Sequence, residues 1–357
     1  MQQTSRQSHH LFLIWYLVFL VAVIFSTAIS VSNGQADIAL GDVFQIFLFK
    51  ISNGVLGNIE GIAPAAVNII WFVRLPRVLL AIFVGMGLAT SGSVMQAVVQ
   101  NPLADPYILG ISSGSSLGAT FAILIGFGST GFFSQFGLFF GAFFGALLAT
   151  ASVLVLSSVG GRMTSVKLVL SGSIISALFS SFSNLIVFLA GNTEGIKTVT
   201  FWLMGSLASS SWQKLPLVIA IVVCAAIFFM SQSRILNVML LGDEAAITLG
   251  ISLGKYRKIY MAISALVTGV IVANSGMIGF VGLIVPHIVR GFFGADHKVS
   301  LPVTGIFGGL FMVWADLLSR VIAKNVELPI GIITSIIGAP LFVYIIVKKG
   351  YSFGGNE

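Results

Sequence analysis

Apolar residues in this chain come in long runs separated by short polar breaks. Leu11 to Val31 is the first, 21 residues without a charge, preceded by Arg6. A cleaved signal peptide shares that charged start, but the run exceeds a usual signal core, so a retained first helix beginning in the cytoplasm is expected. Residues 32–70 mix Asn33-Gly34, Asp37, Asp42, Lys50, Asn53-Gly54 and Glu60 with short apolar stretches, which reads as an external loop carrying a surface helix. Further spans are predicted near 76–99, 108–127, 132–157, 167–190, 213–232, 258–277, 279–293, 301–323 and 329–347, the short one at 279–293 interrupted by Pro286.

Composition agrees with that pattern. Asp, Glu, Lys and Arg make up 8 % of the chain against 57 % hydrophobic residues, where a soluble domain carries roughly 25 % charged residues. The fold class is therefore all-α, a polytopic membrane protein of about ten transmembrane helices with no room for a soluble catalytic domain. The net charge of +7 comes from basic residues scattered at segment ends, not from a patch suited to nucleic acid. Ten crossings put both termini on one side, and Lys348-Lys349 marks that side as cytoplasmic. The bias is weak. Arg6, Arg162, Lys167, Arg234, Lys255, Arg257, Lys258, Arg290, Lys298, Lys348 and Lys349 fall inside; Lys50, Arg74, Arg77, Lys197, Lys214, Arg320 and Lys324 fall outside and need another explanation.

A shift of 184 positions aligns Gly85 with Gly269, Ala89 with Ala273, Ser91-Gly92 with Ser275-Gly276 and Pro102 with Pro286. The second copy lies five spans further along the predicted order, an odd number, so it is inverted as in many transporters. Gly110 to Gly118 places small side chains at helical spacing; close helix packing accounts for most of them, and Ser and Thr on the same faces are candidates to line a pathway.

Chemistry is sparse. Cys224, the single cysteine, sits in an apolar run and reads as a small packed core residue. His9, His10, His287 and His297 are too dispersed for a metal cluster. Nearly all acidic residues fall in loops; Asp316, four residues before Arg320, is placed to form a structural salt bridge near the membrane surface. No buried catalytic pair is evident, which disfavours an intramembrane enzyme, and no carboxylate lies where a proton-coupled pump needs one. Two connectors stand out: Gln100 to Tyr107, predicted as a cytoplasmic loop in which two prolines enclose Asp105, and Leu236 to Gly254, an amphipathic piece between glycines followed by Lys255, Arg257 and Lys258. The second could lie on the membrane surface, but a docking helix for a cytoplasmic partner accounts better for its glycine boundaries.

Arg74-Leu75-Pro76-Arg77, the loop Asn101 to Pro106, Leu109-Gly110, the segment Gly242 to Gly250, Gly279 to His287 and Glu327 to Gly331 together resemble the FecCD family, the permease subunits of type II ATP-binding-cassette importers for iron siderophores, haem and vitamin B12. The resemblance runs from about residue 70 to 349, making 71–349 the family core of a single permease domain, with the first helix at 11–31 and the coupling segment at 236–254. It implies a homodimer in the inner membrane, two cytoplasmic ATPase subunits that carry ATP and Mg, and an extracytoplasmic binding protein. This chain has no phosphate-binding loop and is expected to bind no cofactor or metal of its own.

Residue by residue, the resemblance makes Leu241, Gly242, Asp243, Glu244, Ala245, Ala246, Leu249 and Gly250 the coupling helix seated in the ATPase. Arg74 and Arg77, with Arg320, match arginines that receive acidic residues of the binding protein, which would explain the external cations. Thr164 and Ser165 match the cytoplasmic gate, and Asn101, Pro102, Asp105 and Pro106 a cytoplasmic loop. The implied cargo is a bulky metal chelate, most often a ferric siderophore, with haem or vitamin B12 as alternatives. An ion-coupled secondary transporter is the rival of another class, since an inverted repeat alone permits it.

Overall fold

The computed structural model describes residues 2–126, 137–161, 163–323 and 326–349, with backbone alone for 2–14, 108, 346, 348 and 349. Arg162, Lys324 and the side chains of Arg6, Lys348 and Lys349, all part of the charge count, lie outside the described residues. The long apolar runs become α1 (Gln2–Ser32), α4 (Leu75–Val99), α6 (Gly137–Ser158), α7 (Ser165–Leu189), α9 (Leu215–Ser231), α12 (Leu253–Ser275), α14 (His297–Val321) and α15 (Ile330–Lys349). Shorter helices are α2 (Leu40–Ile51), α3 (Pro64–Asn68), α5 (Ile111–Leu124), α8 (Thr193–Leu203), α10 (Ser233–Leu240), α11 (Asp243–Thr248) and α13 (Val281–Phe293). There is no strand among the described residues.

Among the described residues, six helices are long and apolar enough to cross a membrane, and α9 with α10 forms a seventh candidate bent by 64°. Three shorter apolar helices, α5, α13 and the apolar part of α15, complete the bundle. The 25 residues of α4 rise roughly 37 Å at 1.5 Å each, enough for the hydrocarbon layer. The 14 residues of α5 rise only about 21 Å, so the chain around it must cover part of the depth in another conformation.

Helix α4 is the central post, packed on α14, α12, α13 and α9, while α5 packs on α6 and α7, and α12 on α6. Paired glycines allow these approaches. A methyl on Gly85 would lie 2.0 Å from the Gly308 carbonyl oxygen, and one on Gly118 1.9 Å from that of Gly141. Backbones in lipid gain by such contact because no water-driven effect pulls the helices together. The packing reading of Gly114 and Gly118 thus holds, since both meet α6 glycines.

Between the predicted spans 167–190 and 213–232 the chain forms α8, an amphipathic helix capped by Asn192, whose side chain accepts from the Gly195 N–H at 3.0 Å. Two expectations change. Cys224 is exposed on α9 and is not a core residue; a membrane helix is apolar all round, so hydropathy does not tell its packed face from its lipid face. In sequence the 184-residue shift sets residues 75–91 of α4 against 259–275 of α12, but it sets Pro102, in the break after α4, against Pro286 inside α13.

Candidate transport pathway and partner surfaces

The connector after α4 is not a surface loop. Gln100 takes a left-handed conformation (φ +55°) that ends the helix, and the chain then runs back along α4. A methyl on Gly282 would lie 2.7 Å from Pro106 Cδ and 2.9 Å from the carbonyl oxygen of Leu88, in the middle of α4. Pro106 therefore lies beside the middle of α4, a correction to the cytoplasmic loop predicted for it, while Asn101 stays at the end of α4, its N–H donating to Gln96 O at 3.1 Å. Local caps organise it: Asn101 Oδ1 accepts from Leu103 N and Asp105 Oδ1 from Tyr107 N, each at 2.9 Å. The signal available in sequence was the Pro-Leu-Ala-Asp-Pro spacing, which forbids a helix but says nothing of depth.

A second break follows α12. Gly276 (φ +67°) ends it, and α13 begins after 276–280. The two breaks meet: Tyr107 Oη donates to the Ile278 carbonyl at 3.2 Å and accepts its N–H at 3.3 Å. Two further chain ends join them. Ser206 N donates to Ser275 O at 2.7 Å, Ile330 N to Gly205 O at 3.1 Å and Gly331 N to Met204 O at 3.0 Å. Broken helices within a bundle are tolerated where they are paired or line a cavity. This junction does both. A cavity of about 520 Å³ opens beside it, lined by Tyr107, Ser112, Met204, Met277, Ser335 and Ile336 among others.

At one end of the bundle the sequence-predicted arginines come together, but inward. Arg74, Arg77 and Arg320 are 4 %, 4 % and 5 % exposed. Arg77 Nε lies 2.7 Å from Asp316 Oδ1 and its Nη1 2.6 Å from Glu327 Oε1; Arg320 Nε reaches the other Asp316 oxygen at 3.1 Å. Arg320 also donates to Asn33 O, Ser30 O and Ser30 Oγ. Arg74 donates to the carbonyls of Val31, Ser32 and Ala36. The Asp316–Arg320 pair matches its predicted structural role. The picture of three exposed cations does not hold, because the carboxylate at 316 and the carbonyls ending α1 supply the acceptors that a buried guanidinium requires. Glu327, whose side chain is 37 % exposed, is the outward-facing member.

At the other end lie α10 and α11. Gly242 (φ +98°) is in a backbone region closed to most side chains and turns the chain between the two helices. The coupling residues then divide by face. Ala246 is fully buried, whereas Leu241, Leu249 and the unpredicted Ile247 are 66 %, 60 % and 55 % exposed. Glu244 and Thr248 are exposed with them, as are Arg234, Lys255, Lys258 and Lys298 nearby. Asp243 turns inward, which separates it from Glu244. Its carboxylate binds Arg257 at 2.6 Å, and Gln100 Nε2 donates to it at 2.7 Å. The hydrogen bond from Arg257, partly offset by desolvation, holds its carboxyl below the usual value. Arg257, grouped with the flanking lysines on sequence, is 1 % exposed and belongs to the interior.

Thr164 and Ser165 are both placed near this segment. Thr164 caps α7, accepting from Lys167 N at 3.3 Å, and with Met163, Asp243, Ile247 and Arg257 borders a cavity of about 640 Å³ under α11. Ser165 donates to Gln100 Oε1 at 3.3 Å and accepts from Arg257 Nη2 at 3.1 Å.

Broken helices around a cavity, largely buried ion pairs at one end and the short α11 with exposed Leu241, Ile247 and Leu249 at the other define a membrane transport subunit, with no group of three or more metal-ligating side chains among the described residues. The chain belongs to the FecCD transport family, whose sequence pattern matches residues 20–348. It is 37 % identical to the ABC transporter permease protein YvrB of Bacillus subtilis over 94 % of this chain and 93 % of that one. It is 38 % identical to the cobalamin import system permease protein BtuC of Halobacterium salinarum, over 80 % of this chain and 75 % of the relative. Other relatives bear names for molybdate, hemin and Fe(3+)-citrate. A solved inward-facing ABC transporter assigned to the metal-chelate type superposes with a TM-score of 0.79 at 34 % identity, covering 93 % of this chain and 98 % of its own. The chain is thus a permease subunit, not an enzyme.

Proposed function

We propose that this chain, with a second copy of itself, forms the membrane pathway of an ATP-driven importer for a bulky metal chelate, most specifically a ferric siderophore. The observation that carries the reading is the cavity at the junction of broken helices. Its named polar groups are hydroxyls and thioethers without a formal charge, suited to a large ligand whose own groups wrap the metal. Ile336 on its rim is 65 % exposed, on a side that a facing copy would cover. Ten crossings, counting α9–α10 and the three short helices, with both termini cytoplasmic, go with this reading. So does an inverted correspondence of α4–α7 with α12–α15: α4 packs on α14 as α12 does on α6, and α5 on α6 as α13 on α14.

ATPase subunits would seat on the exposed face of Leu241, Glu244, Ile247 and Leu249, with Thr164 and Ser165 at the cytoplasmic gate. A binding protein would dock over the rim that Arg74, Arg77 and Arg320 hold in shape. The energy of transport then comes from ATP bound elsewhere, and access alternates as the two halves rock. Titrating the partner binding protein with ferric siderophores, haem and cobalamin, then measuring ATP-dependent uptake in proteoliposomes, tests the proposal. Tight binding and uptake of ferric siderophore are expected. Selective uptake of haem or cobalamin would reassign the cargo, and accumulation by the permease alone on an ion gradient would replace the class.

A further inference from the structure

Arg257 carries the most densely connected polar group near α11. Its five N–H donors are all used: Nε donates to Val98 O at 3.2 Å, Nη1 to Met163 O at 2.9 Å and Asp243 Oδ2 at 3.0 Å, and Nη2 to Ser165 Oγ at 3.1 Å and Asp243 Oδ1 at 2.6 Å. Those acceptors belong to four segments: the last turn of α4, the turn before α7, the first residue of α7 and the first residue of α11. Gln100 closes the ring, donating to Asp243 Oδ1 at 2.7 Å and Met239 O at 3.1 Å and accepting from Ser165.

Around this knot α11 has few other ties. Ala246 is its one buried residue, and the space between α11 and the α6–α7 turn is a cavity of about 640 Å³. A force on the exposed face of α11 therefore has a stiff path inward through Asp243 and little packing elsewhere to carry it. A rigid guanidinium fork holds direction better than an ammonium, because each of its donors is fixed in one plane.

Resting on the docking reading above, we propose that Arg257 is a positioning residue that transmits movement of α11 to the turn at 163–165 and to the end of α4, so that the ATPase moves the gate through the Asp243–Arg257 fork. Asp243 is on this reading the inner end of a lever whose outer end is Glu244, Ile247 and Leu249.

The test uses the assembled complex of permease, ATPase and binding protein in nanodiscs. Hydrogen exchange of residues 243–250 and 163–167 is followed before and after ATP is added. In the native complex both segments are expected to respond. In R257K, which keeps the charge but loses the fork, 243–250 still responds, 163–167 does not, and chelate transported per ATP hydrolysed falls about tenfold, within the usual range of coupling free energies. D243N is close to isosteric and cuts only the link to α11; the same loss at 163–167 is expected, which guards against a folding defect specific to R257K. The proposal is overturned if 163–167 responds at native amplitude in both variants, or if R257K loses its ATPase subunits on purification, since Arg257 would then merely shape the docking face. Absence of any response at 243–250 in the native complex would sink the docking reading instead.

Discussion

Tyr107 and Ile278 tie the two broken helices together, the phenol donating to the Ile278 carbonyl at 3.2 Å and accepting its N–H at 3.3 Å. Replacing Tyr107 with Phe keeps the ring and removes both bonds. An unpaired buried polar group costs about 1–3 kcal/mol, so a clear fall in thermal unfolding temperature in detergent is expected, together with weaker uptake. An unchanged unfolding temperature would show that the junction is held elsewhere.

Helix contacts through glycine give a contrast within one chain. Gly85→Ala drives a methyl to 2.0 Å from a backbone oxygen that cannot swing aside, whereas nothing lies within 4 Å of one at Gly41. Destabilisation of about 3 kcal/mol is expected for the first. For Gly41→Ala a gain of up to ~1 kcal/mol is expected from helix propensity. Paired thermal scans in detergent read both.

Asp316→Asn leaves Arg77 and Arg320 buried beside an amide. Losing one member of a buried ion pair costs about 3–5 kcal/mol because the other charge stays desolvated. Poor accumulation of folded protein is expected. Glu327→Gln, at the half-exposed end, is expected to be much milder. Equal effects would mean that burial does not set the energetics of this cluster.

On the docking face, Ile247→Asp and Leu249→Asp should release the ATPase subunits during purification without lowering the unfolding temperature of the permease alone, since both side chains already face outward. Retention of the full complex by the double variant would place the ATPase elsewhere.

Asp243 gives a pH prediction. Its carboxyl is held below the ordinary 3.8, chiefly by the Arg257 hydrogen bond. A depressed acid stabilises at pH above the unfolded value, and that contribution fades as pH falls through the lower native one. Protection factors for 243–250 should therefore hold from neutral pH down to about 4 and decline below it, with Asp243→Asn low and flat throughout. A decline centred near pH 6 would contradict the pairing.

Much of the bundle was legible in the chain. Leu75–Val99 and Ser165–Leu189 fall within two residues of their predicted spans, because an apolar run of that length has no other stable conformation in lipid. The Asp316–Arg320 pair followed from helical spacing alone. Neighbourhood was harder to read. Arg257 looked like one more interfacial cation beside Lys255 and Lys258; its acceptors at 98, 163, 165 and 243 come from segments that only the packed bundle assembles. Arg74 and Arg77 looked exposed because the α1 carbonyls that receive Arg74 and the carboxylate that receives Arg77 lie far away in sequence.

By itself the sequence determined the membrane class, the long spans and the glycine-bounded segment at 242–250, since hydropathy, proline and glycine act over a few residues. Tertiary structure alone decided that Pro106 lies beside the middle of α4, that Cys224 faces outward, and that Asp243 pairs with Arg257 while its neighbour Glu244 stays exposed. Those outcomes depend on which surfaces meet, and a helix apolar on every side carries no local record of its partner.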